Sequence, residues 1–453
     1  MRQWITLAIG SLSLLCAAAA NTSASVSAED AAKLGKELTP IGAEQAGNAA
    51  GTIPAWEGGI TQAPAGYTVG GLHPDPFDAE KPLFTITADN MADYADKLSG
   101  GHKALLGKMD TFKMNVYPSH RTASYPQRIY DATRKNAESG NLVAEGNGVE
   151  NVIGGFPFPI LENGVEAIWN HISRWRGTDL DRTYVQAAVT RDGSYTPVKI
   201  QELVRFNYSL EGMTPEAMGN VMILFKQNIL SPPRLAGRVL LIHETLNQAK
   251  ENRKAWVYNP GQRRVRRAPN VAFDNPKEGA DGLMTFDQLD MFNGSPERYS
   301  WTLEGKGEYY VPYNSYKLQG EGVGEDDILK PGHLNTDLLR YELHRMWVIE
   351  GKLRDGTRHI YNKRRLYFDE DSWQILISEE FDSRDELWRV SEGHAFNYQE
   401  VPTFWYTGEV HYDLQAGRYV VLLSNIADGA PDFTVTLSPD DFSQNSLRSS
   451  GRR

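Results

Sequence analysis

Residues 341–381, YELHRMWVIEGKLRDGTRHIYNKRRLYFDEDSWQILISEEF, decide the fold. Three runs in this stretch, Tyr341–Leu353, His359–Asp369 and Ser372–Phe381, are rich in the aromatic and β-branched residues that favour strands. Arg354-Asp355-Gly356 has the Asp-Gly chemistry of a hairpin turn, and a short polar tip joins the second run to the third. The stretch therefore predicts two consecutive antiparallel hairpins.

The same two-residue period continues on both sides of this stretch. The other predicted strands are 184–190, 198–208, 220–229, 239–247, 253–259, 265–269, 299–303, 309–318, 387–399, 404–413 and 419–425. A run of hairpins with few crossover helices predicts an antiparallel sheet, and a sheet with so many strands must curl. We therefore expect an α+β fold: a large curved antiparallel sheet, an open half-barrel, with helices covering its concave face.

Helix signals concentrate in residues 88–175. Asn163, for example, can cap a helix that carries Ile168 and Trp169 on its apolar face. The predicted organisation is a cleaved secretory leader at 1–28, an extended Gly/Pro-rich arm at 29–87, a single half-barrel domain at 88–442 that includes these helices, and a flexible polar tail at 443–453.

The N-terminus is typical of a secretory leader. Arg2 gives a positive start, residues 5–20 are almost entirely apolar, and small residues end at Ala28 before an acidic pair. This predicts export to the periplasm. An alternative is an outer-membrane lipoprotein acylated on Cys16, which is the one cysteine of the chain. No second apolar run of about 20 residues follows, so no spanning helix is expected after the leader.

The composition and motifs argue against several function classes. A net charge of −11 disfavours nucleic-acid binding. Because Cys16 would be removed with the leader, the mature chain would have no cysteine, which excludes thiolate nucleophiles and Cys-ligated zinc. The sequence also has no Gly-x-Ser-x-Gly elbow and no His-Glu-x-x-His helix. We interpret the acidic runs 325–327 and 369–371 as solvated turns, because neither has calcium-loop spacing. The sequence therefore predicts no enzyme, no catalytic residues, no cofactor and no metal site.

Several strands are apolar on both faces, as in residues 239–242, 346–349 and 375–377. Either they belong to a packed core under helices, or one face lines an apolar ligand cavity. Such a cavity could hold a lipid chain, since each buried methylene contributes about 0.8 kcal/mol. The predicted ligand-binding residues are Leu240, Ile242, Trp256, Tyr258, Trp347, Ile349, Leu366, Phe368, Ile375 and Ile377, with Ile168 and Trp169 as a lid.

A single strong basic cluster stands out in this acidic chain. Arg263, Arg264, Arg266 and Arg267 lie in and beside a predicted strand, so alternation would point them to both faces. They could contact an anionic lipid head group or an acidic partner. The alternative is pairing with the protein's own carboxylates.

Several motifs carry a family resemblance. Gly154-Gly-Phe-Pro-Phe-Pro159, Asn163-Gly-Val-Glu-Ala-Ile-Trp-Asn-His171 and Tyr258-Asn-Pro-Gly-Gln262 with the arginines after it resemble the family called domain of unknown function 1329. That family is similar to periplasmic lipoprotein-sorting carriers, whose open sheet and helical plug shield acyl chains. It is also similar to lipid carriers associated with resistance-nodulation-type exporters. The resemblance supports the half-barrel and implies no catalytic residues.

Together these observations predict a periplasmic carrier or chaperone for a hydrophobic ligand. The ligand would be a lipid, a lipoprotein acyl chain or another hydrophobic small molecule, with an exporter or an outer-membrane component as partner. One alternative is a structural adaptor of an envelope transport complex with no ligand cavity. Another is a hydrolase or lyase on hydrophobic substrates, which would need Asp, His and Arg gathered in the folded cavity.

Overall fold

A computed structural model describes residues 26–424 and 429–451 of the chain. Most of the predicted leader, including Cys16, lies outside the described residues. The predicted cleavage point after Ala28 falls within a short helix, Ala28–Ala31, whose Ala31 is buried. Within the described ranges, no helix is both long enough and apolar enough to cross a bilayer.

The fold is α+β, as the strand pattern predicts. In the described residues the α-helices are α1 Ala28–Ala31, α2 Gly100–Lys108, α3 Gln127–Ser139, α4 Gly164–Ser173, α5 Pro215–Met218, α6 Glu325–Ile328 and α7 Gln444–Ser450. The strands are β1 Phe84–Ile86, β2 Met114–Val116, β3 Asn141–Val143, β4 Gly148–Glu150, β5 Asp179–Val189, β6 Val198–Arg205, β7 Val221–Ser231, β8 Val239–Thr245, β9 Lys254–Asn259, β10 Arg264–Arg267, β11 Tyr299–Pro312, β12 Tyr341–Leu353, β13 Lys363–Asp369, β14 Ile375–Phe381, β15 Leu387–Tyr398, β16 Thr403–Asp413 and β17 Arg418–Ser424.

Fifteen of these strands form one sheet that does not close on itself. Two antiparallel meanders, β5 to β10 and β11 to β17, lie side by side because β17 pairs with β5. A parallel contact within this sheet joins β2 to β12 at one residue pair. The strand β10 forms one edge of the sheet.

The strand register assigns each side chain to a face, since directly paired residues point to the same side. We call the side that carries Tyr184, Leu240 and Leu366 the inner face, and the side that carries Val390 and Val410 the outer face. Both faces are covered. The larger hydrophobic core lies on the inner face, and a second core lies on the outer face.

The predicted helices of residues 88–175 divide between these faces. The helix α4 begins with a capping box, in which Asn163 Oδ1 accepts from Glu166 N–H and the Glu166 carboxylate accepts from Asn163 N–H. It lies on the inner face, where the Cβ position of Gly164 is 3.0 Å from Ile349. The helix α2 lies on the outer face, with Gly101 against Val390.

Three local expectations are corrected by the structure. Residues 91–97, in the segment 88–175 where the sequence favours α-helices, form a 3-10 helix instead. Residues 299–312 form one continuous strand where strands at 299–303 and 309–318 were predicted, and a bulge between Leu303 and Gly305 keeps the pairing with β12 continuous. The tail expected to be flexible contains α7, whose Leu447 is fully buried against the outer face near Leu241 and Trp256.

Candidate functional site

The inner face is covered by protein along much of its length. We call α4 together with residues 269–293 the inner cover. Its apolar side chains join the same core as the sheet residues beneath them: Ile168, Trp169, Val271, Ala280, Leu283, Met284, Leu289, Met291 and Phe292. The space expected to hold a ligand is therefore largely filled by side chains.

Buried ion pairs join residues 269–293 to the segment that follows α4 and to strand β13 of the sheet. Asp290 pairs with Arg174 at 2.5 Å and with Arg176, and Asp287 pairs with Arg364 at 2.6 Å. Burial opposes ionisation of Asp290, but the two arginines outweigh it and lower the pKa of its carboxyl. Separating such buried partners is strongly unfavourable, so these pairs hold the cover in place.

Other titratable groups are also buried beneath the cover. Burial raises the pKa of Glu409 to about 8, and the nearby charge of Asp290 adds to the shift. Burial lowers the pKa of Lys277 to about 8 and that of His171 to about 3, the latter with a contribution from Arg174. At neutral pH His171 is therefore uncharged and accepts or donates hydrogen bonds as a neutral ring.

A cavity of about 160 Å³ lies between the inner cover and the sheet. It lies at the β7–β9 end, and its lining combines sheet residues with two residues of the cover. The lining residues are Gln227, Ile229, Arg238, Val239, Leu240, Val257, Tyr258, Asn259, Glu278 and Phe286. Most of the exposed lining is apolar, and an Arg238–Glu278 ion pair bridges sheet and cover beside it.

The basic cluster lies next to this cavity. Arg266 pairs with Val257, and Arg264 pairs with Asn259, so both arginines share the face of two cavity-lining residues. Arg267 pairs with Trp256 and belongs to the outer face, where its guanidinium is 5.8 Å from the centre of the Trp256 ring. All four arginines of residues 263–267 are exposed.

The alternative in which these arginines pair with the protein's own carboxylates is not what the structure shows. Within residues 26–424 and 429–451, salt bridges form at neighbouring basic residues such as Arg253 and Arg238, and at none of Arg263, Arg264, Arg266 and Arg267. The described part of the chain thus leaves these four guanidinium groups available to an anionic ligand or partner.

Three predicted lining residues lie on the wrong face. Trp256 pairs with Leu241, and Tyr258 pairs with Val239, both on the outer face. Ile377 pairs with Tyr367 and Glu392 of the outer face, because a bulge between Tyr367 and Phe368 shifts the alternation. Since neighbouring residues in these strands are also apolar, hydropathy alone did not fix which side chains point inward.

The other predicted residues lie on the inner face or above it, but not together at a cavity. Leu240 lines the cavity of 160 Å³, and Tyr258, although it belongs to the outer face, is also one of the lining residues. Six of these residues are fully buried in the packed core: Ile168, Trp169, Ile349, Leu366, Phe368 and Ile375. Ile242 is 3% exposed, and Trp347 is partly buried beside Lys306.

The cavity also has walls that sequence analysis missed. Gln227 and Ile229 come from β7, and Glu278 and Phe286 come from the inner cover. The sequence could have indicated Ile229, because the alternation of side chains along β7 places it on the same face as Leu240. Nothing local in the sequence places Glu278 or Phe286 over the sheet, because their position depends on distant pairs such as Asp287 with Arg364.

The comparisons with known proteins identify the family. A model described as a protein of unknown function, DUF1329, matches residues 85–448. The uncharacterised protein PA3922 of Pseudomonas aeruginosa is 49% identical over 444 residues, which cover 98% of this chain and 97% of that protein. The chain belongs to the DUF1329 family.

Several solved structures are similar to this DUF1329 protein at much lower sequence identity. A domain from Vibrio parahaemolyticus, proposed to be an outer membrane lipoprotein-sorting protein, is 15% identical with a TM-score of 0.43 and covers 63% of this chain and 98% of its own. A DUF1329 family protein from Desulfovibrio piger is 13% identical with a TM-score of 0.41, covering 60% and 92%. A LolA superfamily protein from Nitrosomonas europaea is 13% identical with a TM-score of 0.38, covering 62% and 99%.

Proposed function

We propose that this DUF1329 protein is a periplasmic carrier for an amphiphile with an anionic head, such as a lipid or an acyl chain. The apolar end of the ligand would enter the cavity at β7–β9, and its head would contact Arg264 and Arg266. The supporting observation is the register: these unpaired arginines lie on the edge strand, one strand away from the cavity wall and on the same face.

The size of the cavity limits what it can hold. A dry apolar cavity of about 150 Å³ accommodates a ligand the size of benzene. Burial of about six carbons at 0.8 kcal/mol each contributes roughly 5 kcal/mol, which corresponds to a Kd between millimolar and micromolar. The remainder of a long chain would lie along the surface, so contacts to the charged head are needed for tight binding.

A fluorescence titration with a dansyl-labelled medium-chain fatty acid tests this proposal on the full chain after lipid removal. Val257→Trp fills the cavity, whereas Val265→Trp places the same ring on the outer face of the neighbouring strand; both valines are half-buried. We expect wild type and Val265→Trp to bind alike and Val257→Trp to bind at least about tenfold more weakly, a loss of about 1.4 kcal/mol. No binding to wild type, or full binding to Val257→Trp, would contradict the proposal.

A second candidate function is the structural adaptor of an envelope transport complex. The packed inner face favours it, because Ile349, Leu366 and Phe368 are fully buried under the inner cover and leave no room for a long hydrocarbon chain. In this case the exposed arginines would dock an acidic surface of an exporter or outer-membrane component. Affinity capture that retains such a component with wild type and with Val257→Trp, but loses it with Arg264→Glu, would favour the adaptor over the carrier.

A further inference from the structure

A buried cluster of His and Asp lies away from the cavity. His344 is on β12, Asp369 ends β13, and Asp371 lies in the turn that leads to β14. One potential ligand atom from each lies within 4.8 Å of the others. The side chains in the turn, interpreted from sequence as solvated, are in fact buried: Asp369 is 0% and Asp371 is 3% exposed.

One carboxylate oxygen in this cluster has no hydrogen-bond partner in the part of the chain that the structure describes. Asp369 Oδ2 accepts from Ser372 Oγ at 2.6 Å and from the Tyr313 hydroxyl at 3.2 Å. Among the described residues, the buried Oδ1 of Asp369 accepts no hydrogen bond. A buried carboxylate oxygen left without a donor or a cation is costly, so a native protein normally satisfies it.

The other two side chains are held in place by neighbours. Arg121 donates to both oxygens of Asp371, at 2.8 Å from Nε and 2.7 Å from Nη2. His344 Nε2 lies 3.1 Å from a carboxylate oxygen of Glu342, and its ring stacks on Tyr313 at 3.7 Å. If Nε2–H donates to Glu342, the lone pair of Nδ1 is free, as in the carboxylate–histidine–metal arrangement.

We propose that His344, Asp369 and Asp371 bind one divalent transition-metal cation, of the Zn²⁺ or Mn²⁺ type. One imidazole nitrogen and two carboxylate oxygens form a ligand set that suits these ions. With bonds of about 2.0–2.2 Å, neighbouring ligand atoms of a tetrahedral ion lie about 3.3–3.6 Å apart, so atoms that now lie within 4.8 Å of one another have to draw together by up to about 1.5 Å.

The site would tie the N-terminal arm to the sheet. Arg121, which holds Asp371, also donates to the backbone carbonyl of Glu44 at 2.8 Å, and the Trp373 indole donates to the carbonyl of Ile41 at 2.9 Å. A cation at the cluster would therefore fix the turn 369–374, β12 and residues 41–44 together. Its role is structural, because all three ligands are buried.

Metal binding to the full chain is the direct test. After treatment with a chelator and its removal, Zn²⁺ and Mn²⁺ are titrated separately by calorimetry, and the bound metal is counted by mass spectrometry of the elements. We expect one equivalent per chain for wild type. Asp369→Asn should weaken binding by at least about 100-fold, since even the loss of a group that only hydrogen-bonds to a metal ligand typically costs 10–100-fold.

The matched control is Asp326→Asn, in the exposed acidic run of α6. It should bind metal as wild type does. Because a substitution in the cluster could alter folding, the circular dichroism of Asp369→Asn is compared with that of wild type. The electron paramagnetic resonance spectrum of Mn²⁺ bound to wild type is also examined for coupling to a histidine nitrogen. Absence of stoichiometric binding, equal binding by Asp369→Asn, or bound Mn²⁺ without nitrogen coupling would overturn the proposal.

Discussion

Arg266 lies directly opposite Val257, so a free guanidinium group borders the wall of the apolar cavity on the same face of the sheet. This arrangement suits a ligand with an oily end and a negative head. Its neighbour Arg267 points to the outer face beside Trp256. The two arginines therefore form a matched pair for testing whether the position of the charge matters.

Arg266→Glu should weaken binding of a fatty-acid anion by about fivefold to tenfold, because an exposed charge contact contributes up to about 1 kcal/mol and the new carboxylate adds repulsion. The methyl ester of the same probe, which has no charge, should bind Arg266→Glu and wild type alike. Arg267→Glu changes the net charge equally and should leave both affinities unchanged. If Arg267→Glu weakened binding of the anion as much as Arg266→Glu does, only the total charge of the edge strand would matter and not the face on which an arginine lies.

The inner cover should depend on Asp290. Its carboxylate compensates two buried arginines, Arg174 and Arg176, and also accepts from the Trp405 indole at 2.9 Å. Asp290→Asn leaves the arginines without a full counter-charge, so we expect the free energy of unfolding to fall by about 3–5 kcal/mol.

Chemical denaturation measures that loss, with Asp281→Asn as the control. Asp281 pairs with Arg418 at 2.8 Å, but its side chain is 66% exposed, so its substitution should change the stability by less than about 1 kcal/mol. Comparable losses in both variants would show that the buried pairs do not hold the cover more firmly than a surface pair.

Glu409 should make the stability depend on pH. In the folded protein its pKa is raised from 4.5 to about 8 by burial, by Asp290 and by Glu202, against the opposing effect of Arg182. The folded state therefore retains a proton that the unfolded state loses, and the stabilisation present below pH 4.5 is lost as pH rises toward 8. Glu409→Gln, which keeps an oxygen for the Met291 amide, should reduce the fall in melting temperature between pH 5 and 8.

Thermal melts across this range compare Glu409→Gln with the exposed Glu304→Gln on β11. The second variant should follow the wild-type profile. A slope for Glu409→Gln as steep as that of wild type would mean that Glu409 does not retain its proton in the folded protein.

The parts of this fold that depend on local chemistry could be predicted from the sequence. The hairpin turn at 354–356 and the Asn163 cap of α4 act through neighbouring residues, so β12, β13 and α4 lie close to their predicted bounds. Face assignment failed at Trp256, where the strand is apolar on both sides and the register of β8 with β9 decides the outcome.

The long-range parts could not be predicted in this way. Arg121 meets Asp371 across 250 residues of sequence, and Arg364 meets Asp287 across 77. No periodicity or motif links such partners, so the sequence suggested a solvated turn where the folded chain has a buried cluster. The α4 part of the inner cover was predicted as a lid, but residues 269–293 were missed for the same reason, since their position is fixed by long-range pairs such as Asp287 with Arg364.

The C-terminal helix offers a last test, because the tail at 443–453 was expected to be flexible. Leu447 of α7 is fully buried in a cluster with Leu241, Trp256 and Phe442, whereas Leu230 at the end of β7 is 37% exposed. Leu447→Ala should lower the free energy of unfolding by about 2–5 kcal/mol, and Leu230→Ala by less than about 1 kcal/mol, because only the first leaves a cavity. Limited proteolysis should likewise cut the tail faster in Leu447→Ala. If the two variants are equally stable and equally resistant, α7 does not contribute to the outer core and the tail behaves as the sequence suggested.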